Sequence, residues 1–128
     1  MKIISWNIRG LGRSEKKRTV TRLCLKEKLS MALIQESKLQ KVHLRTIQFL
    51  SSKGSFQGAW VGSNGAVGGL VSLWDENFFS LESKVVNQRY ILLVGTILLR
   101  NIRCGFGNIT LLMMIEIDRC FGKNWKLF

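Results

Sequence analysis

A chain of 128 residues corresponds to about one domain, long enough to hide roughly two-thirds of its unfolded surface. Hydrophobic residues at 46% and charged residues at 22% exclude a disordered chain, and the longest apolar stretch, Tyr90 to Leu99, contains Gly95 and is too short to span a bilayer. The net charge of +12 is lopsided: residues 1–60 carry 13 Lys and Arg against three acids, residues 61–128 seven against five.

In chain order, Ile3 to Ile8 is a short apolar run with Ser5 and Asn7 set into it, and reads as a buried strand. Arg9-Gly10-Leu11-Gly12 breaks it with a glycine turn. Ser14 is a fair N-cap and Glu15 suits a first helical turn. Val20, Leu23, Cys24 and Leu29 recur at helical spacing, predicting a helix over 15–29. Met31 to Gln35 is a second apolar strand, so the chain opens as strand, helix, strand, the pattern of a right-handed crossover with parallel strands. Val42, Leu44, Ile47, Phe49 and Leu50 predict a second helix over 40–51. Gln57 to Val61 and Gly68 to Trp74 read as strands joined by a turn at Asn64-Gly65. Phe78 to Val86, Tyr90 to Leu98 and Ile102 to Asn108 complete a run of short strands. A βαβ opening followed by a β-meander implies an α/β sandwich rather than a doubly wound sheet.

The basic half carries Arg9, Arg13, Lys16, Lys17 and Arg18 in one dense run, followed by Arg22, Lys26 and Lys28. Such a run is either a solvated helix face or a surface for a polyanion, most simply nucleic acid. Asn7 and Glu36 end what should be neighbouring parallel strands, the edge at which open α/β sheets bind ligands. A carboxylate beside an amide and a basic loop suits a hard divalent cation bridging to phosphate, since Mg²⁺ takes one or two carboxylates plus waters and substrate oxygens. The plainer alternatives are a salt bridge from Glu36 to Lys38 or Arg9 and a turn-capping role for Asn7. Cys24, Cys104 and Cys120 are widely spaced with no CxxC pair, which fits reduced intracellular thiols better than a disulfide frame or a zinc site. Asn7 and Arg9 interrupt the N-terminus before any signal-peptide core can form. The glycines from Gly62 to Gly69 lack the Gly-Lys-Ser/Thr ending of a phosphate loop and read as a hairpin turn. Trp60, Trp74 and Phe78 could stack on bases but are more simply core aromatics.

The segment Ile3-Ile4-Ser5-Trp6-Asn7-Ile8-Arg9-Gly10-Leu11-Gly12 resembles the opening motif of the endonuclease/exonuclease/phosphatase superfamily, most closely the endonuclease domain of plant non-long-terminal-repeat (LINE-type) retrotransposons. Ile34-Gln35-Glu36-Ser37-Lys38-Leu39 resembles its second motif, and Gly68-Gly69-Leu70-Val71-Ser72-Leu73-Trp74-Asp75 the Gly-Gly strand ending in Trp-Asp that follows in the retrotransposon branch. The resemblance implies the N-terminal part of a two-sheet, deoxyribonuclease I-like α/β sandwich. It further implies a Mg²⁺ cofactor bound by Glu36, Asn7 in the metal or phosphate network as the second catalytic position, DNA as partner, and a nuclear location. The family's reaction is phosphodiester hydrolysis by a metal-stabilised in-line attack of water.

The family's later motifs, Tyr-Ala-Pro, Gly-Asp-Phe-Asn and Ser-Asp-His, are missing, and the single histidine, His43, falls in the second predicted helix. The chain carries no proline where average usage predicts roughly six. Residues from Ile109 onward accept codons that, after one inserted nucleotide, read Tyr-Ala-Pro-Asn and then a Leu-Trp-Lys-Glu-Leu run. The expected division is therefore a partial domain over 1–109 and a frameshifted tail over 110–128. A fold cut midway should leave Leu92, Leu93, Val94, Ile97 and Leu98 with little to pack against and promote self-association. Two further readings stand beside the truncated endonuclease: a non-enzymatic basic remnant that binds nucleic acid, and a fragment of another branch, an abasic-site endonuclease or an inositol-phosphate phosphatase.

Overall fold

The computed structural model describes residues 1–65, 68–109 and the backbone of 125–127. Its elements are β1 (Ile3–Asn7), α1 (Ser14–Glu27), β2 (Met31–Gln35), α2 (Leu44–Ser51), β3 (Phe56–Val61), β4 (Leu70–Asp75), β5 (Phe79–Val86), β6 (Tyr90–Ile97), β7 (Ile102–Ile109) and β8 (Trp125–Leu127). The first sheet has strand order β3-β4-β2-β1-β8, and the second is β5-β6-β7. β1 and β2 are parallel, with Asn7 opposite Gln35, as the strand-helix-strand opening predicts. β3 and β4 form the expected antiparallel hairpin.

The predicted run of short strands divides between the two sheets. β4 returns to the first sheet and pairs antiparallel with β2, Gln35 opposite Leu70. The cause is its composition: Leu70 to Trp74 are all buried, so both faces of β4 need cover, helices on one side and the second sheet on the other. β6 and β7 instead alternate buried and half-buried residues, the mark of a sheet packed on one face.

The alternation of β1 and β2 sorts the core into two halves. Ile3, Met31, Leu33, Leu70 and Trp74 face the second sheet and meet Phe79, Ile91, Leu93, Ile97 and Phe106. Phe79 stacks edge-on to both Trp74 and Phe106, with ring centroids 6.3 and 5.1 Å apart. On the other face Ile4, Ile8, Ala32, Ile34, Val71 and Leu73 pack under α1 and α2, against Val20, Cys24, Ile47 and Leu50.

Several expectations need correction. Leu93 and Ile97 are not stranded: they are 0% and 1% exposed in the inter-sheet core, because β3 and β4 supply the opposing face. Leu92 and Val94, on the outer face, are half-buried, and Leu98 is exposed. α1 begins at Ser14, with Arg13 as an extended N-cap that makes no side-chain capping bond, and ends at Glu27 with Lys28 in the left-handed cap conformation. α2 starts at Leu44 rather than 40, with His43 at its N-cap, where its backbone N–H donates to Thr46 Oγ1 at 3.3 Å. Of the apolar residues that predict this helix, Ile47 and Leu50 are buried, whereas Leu44 and Phe49 are exposed. Of the tail expected over 110–128, residues 110–124 and 128 lie outside the described residues, while the backbone of β8 pairs parallel with β1.

Burial under α1 pushes the Cys24 thiol up from 9.0 to about 12, an effect that nearby Lys53 partly offsets. The unfolded thiol therefore ionises first. The neutral thiol's contribution is complete below pH 9.0 and is lost as pH rises from there, by about 1 kcal/mol per pH unit. Urea unfolding at about pH 8 and about pH 10 should show this fall in the native chain and a shallower one in Cys24→Ala. Equal slopes in the two proteins would refute the buried-thiol account.

Candidate functional site

Asn7 is the last residue of β1 and Glu36 follows directly on β2, so two adjacent parallel strands deliver both side chains to one sheet edge. Main-chain bonds lace the loops there together. Ile8, Gly10 and Leu11 N–H donate to the carbonyls of Gln35, Glu36 and Ser37 at 3.1, 2.8 and 2.8 Å. Ser37 and Lys38 N–H donate in turn to Gly69 and Gly68 carbonyls at 3.1 and 2.8 Å. The three segments singled out in the sequence, 3–12, 34–39 and 68–75, thus meet at one place.

Arg9, Glu36 and Lys38 all adopt left-handed backbone conformations, with φ of 54°, 51° and 55°. The other non-glycine residues in this region are two helix caps, Lys28 and Ser52, and the turn residue Asn101. Left-handed backbone costs an L-residue roughly 1–2 kcal/mol, and such strain gathers at functional sites. Gly69, at φ +93°, is required for a second reason: a Cβ there would collide with Ser37 Oγ.

Asn7 Oδ1 is buried and has no hydrogen-bond partner among the described residues. An orphaned buried carbonyl oxygen costs about 1–3 kcal/mol and calls for a ligand. The Glu36 carboxylate is half-buried and forms no ion pair with Lys38 or Arg9, so the plainer reading of that residue is not realised. Among the described residues no three His, Cys, Asp or Glu side chains converge as a metal cluster. One carboxylate and one amide oxygen are hard donors, and this set fits a cation that retains waters and takes substrate oxygens, as Mg²⁺ does.

Beneath the edge lies a polar cluster that sequence reading missed. Gln35 Nε2 lies within donating distance of Ser5 Oγ (3.0 Å), Leu33 carbonyl (2.9 Å) and Asn108 Oδ1 (2.8 Å). Asn108 Nδ2 donates toward Ser72 Oγ (3.0 Å) and the carbonyls of the register pair Ile34 and Val71 (3.2 Å each). All four side chains are buried, and through Asn108 on β7 they bolt the second sheet to the strands that carry the edge. The available signal was the presence of polar residues inside apolar strands at Ser5, Gln35, Ser72 and Asn108.

The basic residues divide. Arg9 is exposed on the edge loop, and Lys16 reaches back to the Ile8 carbonyl at 3.2 Å. Arg13 and Arg18 are exposed at the start of α1, while Lys17 is half-buried against α2. Trp74 and Phe78 are core aromatics, and Trp60 packs beneath the helices.

No family model matches the chain, and no curated protein matches it. Solved structures do. An AP endonuclease, LMAP, from Leishmania major superposes with a TM-score of 0.62 at 16% identity, covering 84% of this chain and 39% of that one. The catalytic domain of APE2 from Xenopus laevis gives 0.53 at 15% identity, over 85% of this chain and 44% of that one. The 3′ phosphatase NExo from Neisseria, bound to a product DNA hairpin, gives 0.54 at 20% identity, over 82% and 40%. The chain spans less than half the length of each. The two-sheet α/β architecture is therefore the deoxyribonuclease I-like fold, matched over about two-fifths of the length of those three chains.

Proposed function

We propose that the chain is the N-terminal part of a Mg²⁺-dependent DNA endonuclease of LINE-type retrotransposon origin. The observation that carries the reading is the buried Asn7 Oδ1, without a hydrogen-bond partner among the described residues, on the same sheet edge as Glu36, which forms no ion pair among them, an edge that holds three left-handed residues. DNA is the partner drawn from the basic half, and NExo, which has the same fold, was solved with a DNA hairpin. The abasic-site and phosphatase neighbours share the fold at 15–20% identity, which does not choose among branches. The Trp-Asp ending of β4 and the Ile-Arg-Gly-Leu-Gly loop favour the retrotransposon branch.

Glu36 and Asn7 would hold the metal, which supplies charge stabilisation at a phosphodiester. Arg9, Arg13, Lys16, Lys17 and Arg18 would position the phosphate backbone. No described side chain can orient the attacking water, so this chain by itself is expected to be inert toward DNA. The same reading makes 110–128 a frameshifted tail, which sequencing the transcript across codons Gly107 to Leu112 decides. It also leaves Val85, Tyr90 and Leu98 open to self-association.

Titration with Mg²⁺ should shift the amide NMR signals of Asn7 and Glu36, and Glu36→Ala should remove the effect. Supercoiled plasmid should stay intact in the same buffer. Plasmid nicking abolished by Glu36→Ala would overturn the inert reading, and unchanged Asn7 and Glu36 signals would overturn the metal reading.

A further inference from the structure

On the helical layer, a feature separate from the metal edge points to another ligand. α1 and α2 both begin after strands that end on that edge, and the groove between them is lined by Ser14, Lys17, Arg45, Thr46 and Phe49. It is open, with a volume of about 400 Å³. Phe49 stands 50% exposed on it, although Ile47 and Leu50 on the same helix are fully buried. Thr21 Oγ1 on α1 lies within donating distance of the Phe49 carbonyl (2.9 Å) and of the Lys17 carbonyl (3.0 Å), where it can tie the backbone of α2 to α1.

The charge around this aromatic is one-sided. Lys17 and Arg45 line the groove with it, and Lys53 lines the adjoining depression on the other side of Phe49, none in an ion pair among the described residues. The acids of the two helices are Glu15 and Glu27, and Lys2 Nζ holds Glu27 at 2.7 Å. An exposed ring that shares a groove with two cations is an arrangement on which an unpaired base stacks while its phosphates meet the charges. Double-stranded nucleic acid hides its base faces and could use only the charges.

We infer that the α1–α2 groove is a binding site for single-stranded nucleic acid, with Phe49 as stacking platform and Lys17 and Arg45 as phosphate contacts. The site needs no divalent metal; Lys17 is shared with the backbone contacts proposed above, whereas Phe49 and Arg45 belong to the groove alone.

The test is fluorescence anisotropy of a labelled oligothymidylate of about 12 nucleotides with the full chain, in EDTA, over a series of salt concentrations. Phe49→Ala should weaken binding by about tenfold, and Phe49→Tyr should restore it. Arg45→Ala should lower the slope of log affinity against log salt by about 0.7, one phosphate contact on a single strand. Phe49 is half exposed, so far-UV circular dichroism of Phe49→Ala should match the native chain. Four results would overturn the proposal. They are a duplex of equal length binding as tightly, Phe49→Ala binding like the native chain, Phe49→Tyr no better than Phe49→Ala, or binding that appears only when Mg²⁺ is restored. The last would move the single strand to the Glu36 edge.

Discussion

Asn108→Leu should lower the unfolding free energy by about 4 kcal/mol, read as a fall in urea midpoint with little change in m-value. Leu has the same branching and number of side-chain heavy atoms, so no cavity opens, but its methyl groups are bulkier than the amide and overpacking adds to the cost at this fully buried site. What is lost is one of three acceptors around Gln35 Nε2, the amide that meets Ser72 Oγ, and the same amide's contact with the Ile34 and Val71 carbonyls. Each group left buried without a partner costs about 1–3 kcal/mol. Gln35→Leu should be comparably damaging, since it strands Ser5 Oγ and Asn108 Oδ1. The double replacement should be milder than the sum by at least about 1 kcal/mol, because the two amides are each other's partner. Strict additivity would show that the Gln35–Asn108 contact at 2.8 Å contributes nothing.

Gly69→Ala is the second large effect, and its interest lies in the contrast with its neighbour. Both glycines have positive φ, +80° at Gly68 and +93° at Gly69. A Cβ on Gly68 meets nothing within 4 Å, whereas one on Gly69 runs into the buried Ser37 side chain and lies 3.1 Å from Lys38 N. Gly68→Ala should cost only the backbone term, about 1 kcal/mol. Gly69→Ala adds a collision in a close-packed spot, for a total of about 3 kcal/mol. Because Ser37 adjoins Glu36, Gly69→Ala should also weaken the Mg²⁺-induced shift at Glu36 while Gly68→Ala leaves it in place. Thermal unfolding and the metal titration check the two halves. Equal costs for the two alanines would refute the steric account.

The parallel pairing of β1 and β2 was legible because both strands are uninterrupted apolar runs flanking an amphipathic helix. The edge carrying Asn7 and Glu36 follows from that pairing alone. The assignment of β4 to the first sheet was harder to read: Leu70 to Trp74 show continuous apolarity, which says that both faces are covered but not by what. The fate of Leu93 and Ile97 depended on the same fact. Spacing places Phe49 on α2 but does not say how wide the buried stripe is, so its exposure was not legible. The contact between Gln35 and Asn108 spans 73 residues, and nothing local in either strand names the other.

The loops at the Asn7–Glu36 edge are fastened by amide-to-carbonyl bonds, from Gly10 and Leu11 to Glu36 and Ser37, and from Ser37 and Lys38 to Gly69 and Gly68. The side chains of Arg9, Glu36 and Lys38 take no part in those bonds. Arg9, Glu36 and Lys38 hang from a frame whose shape does not depend on what they are. A lineage carrying this fold is therefore free to rewrite the charge and chemistry of the edge by point substitution, with the scaffold unaffected. The positions it cannot vary are the silent ones: the glycine at 69 and the amides at 35 and 108.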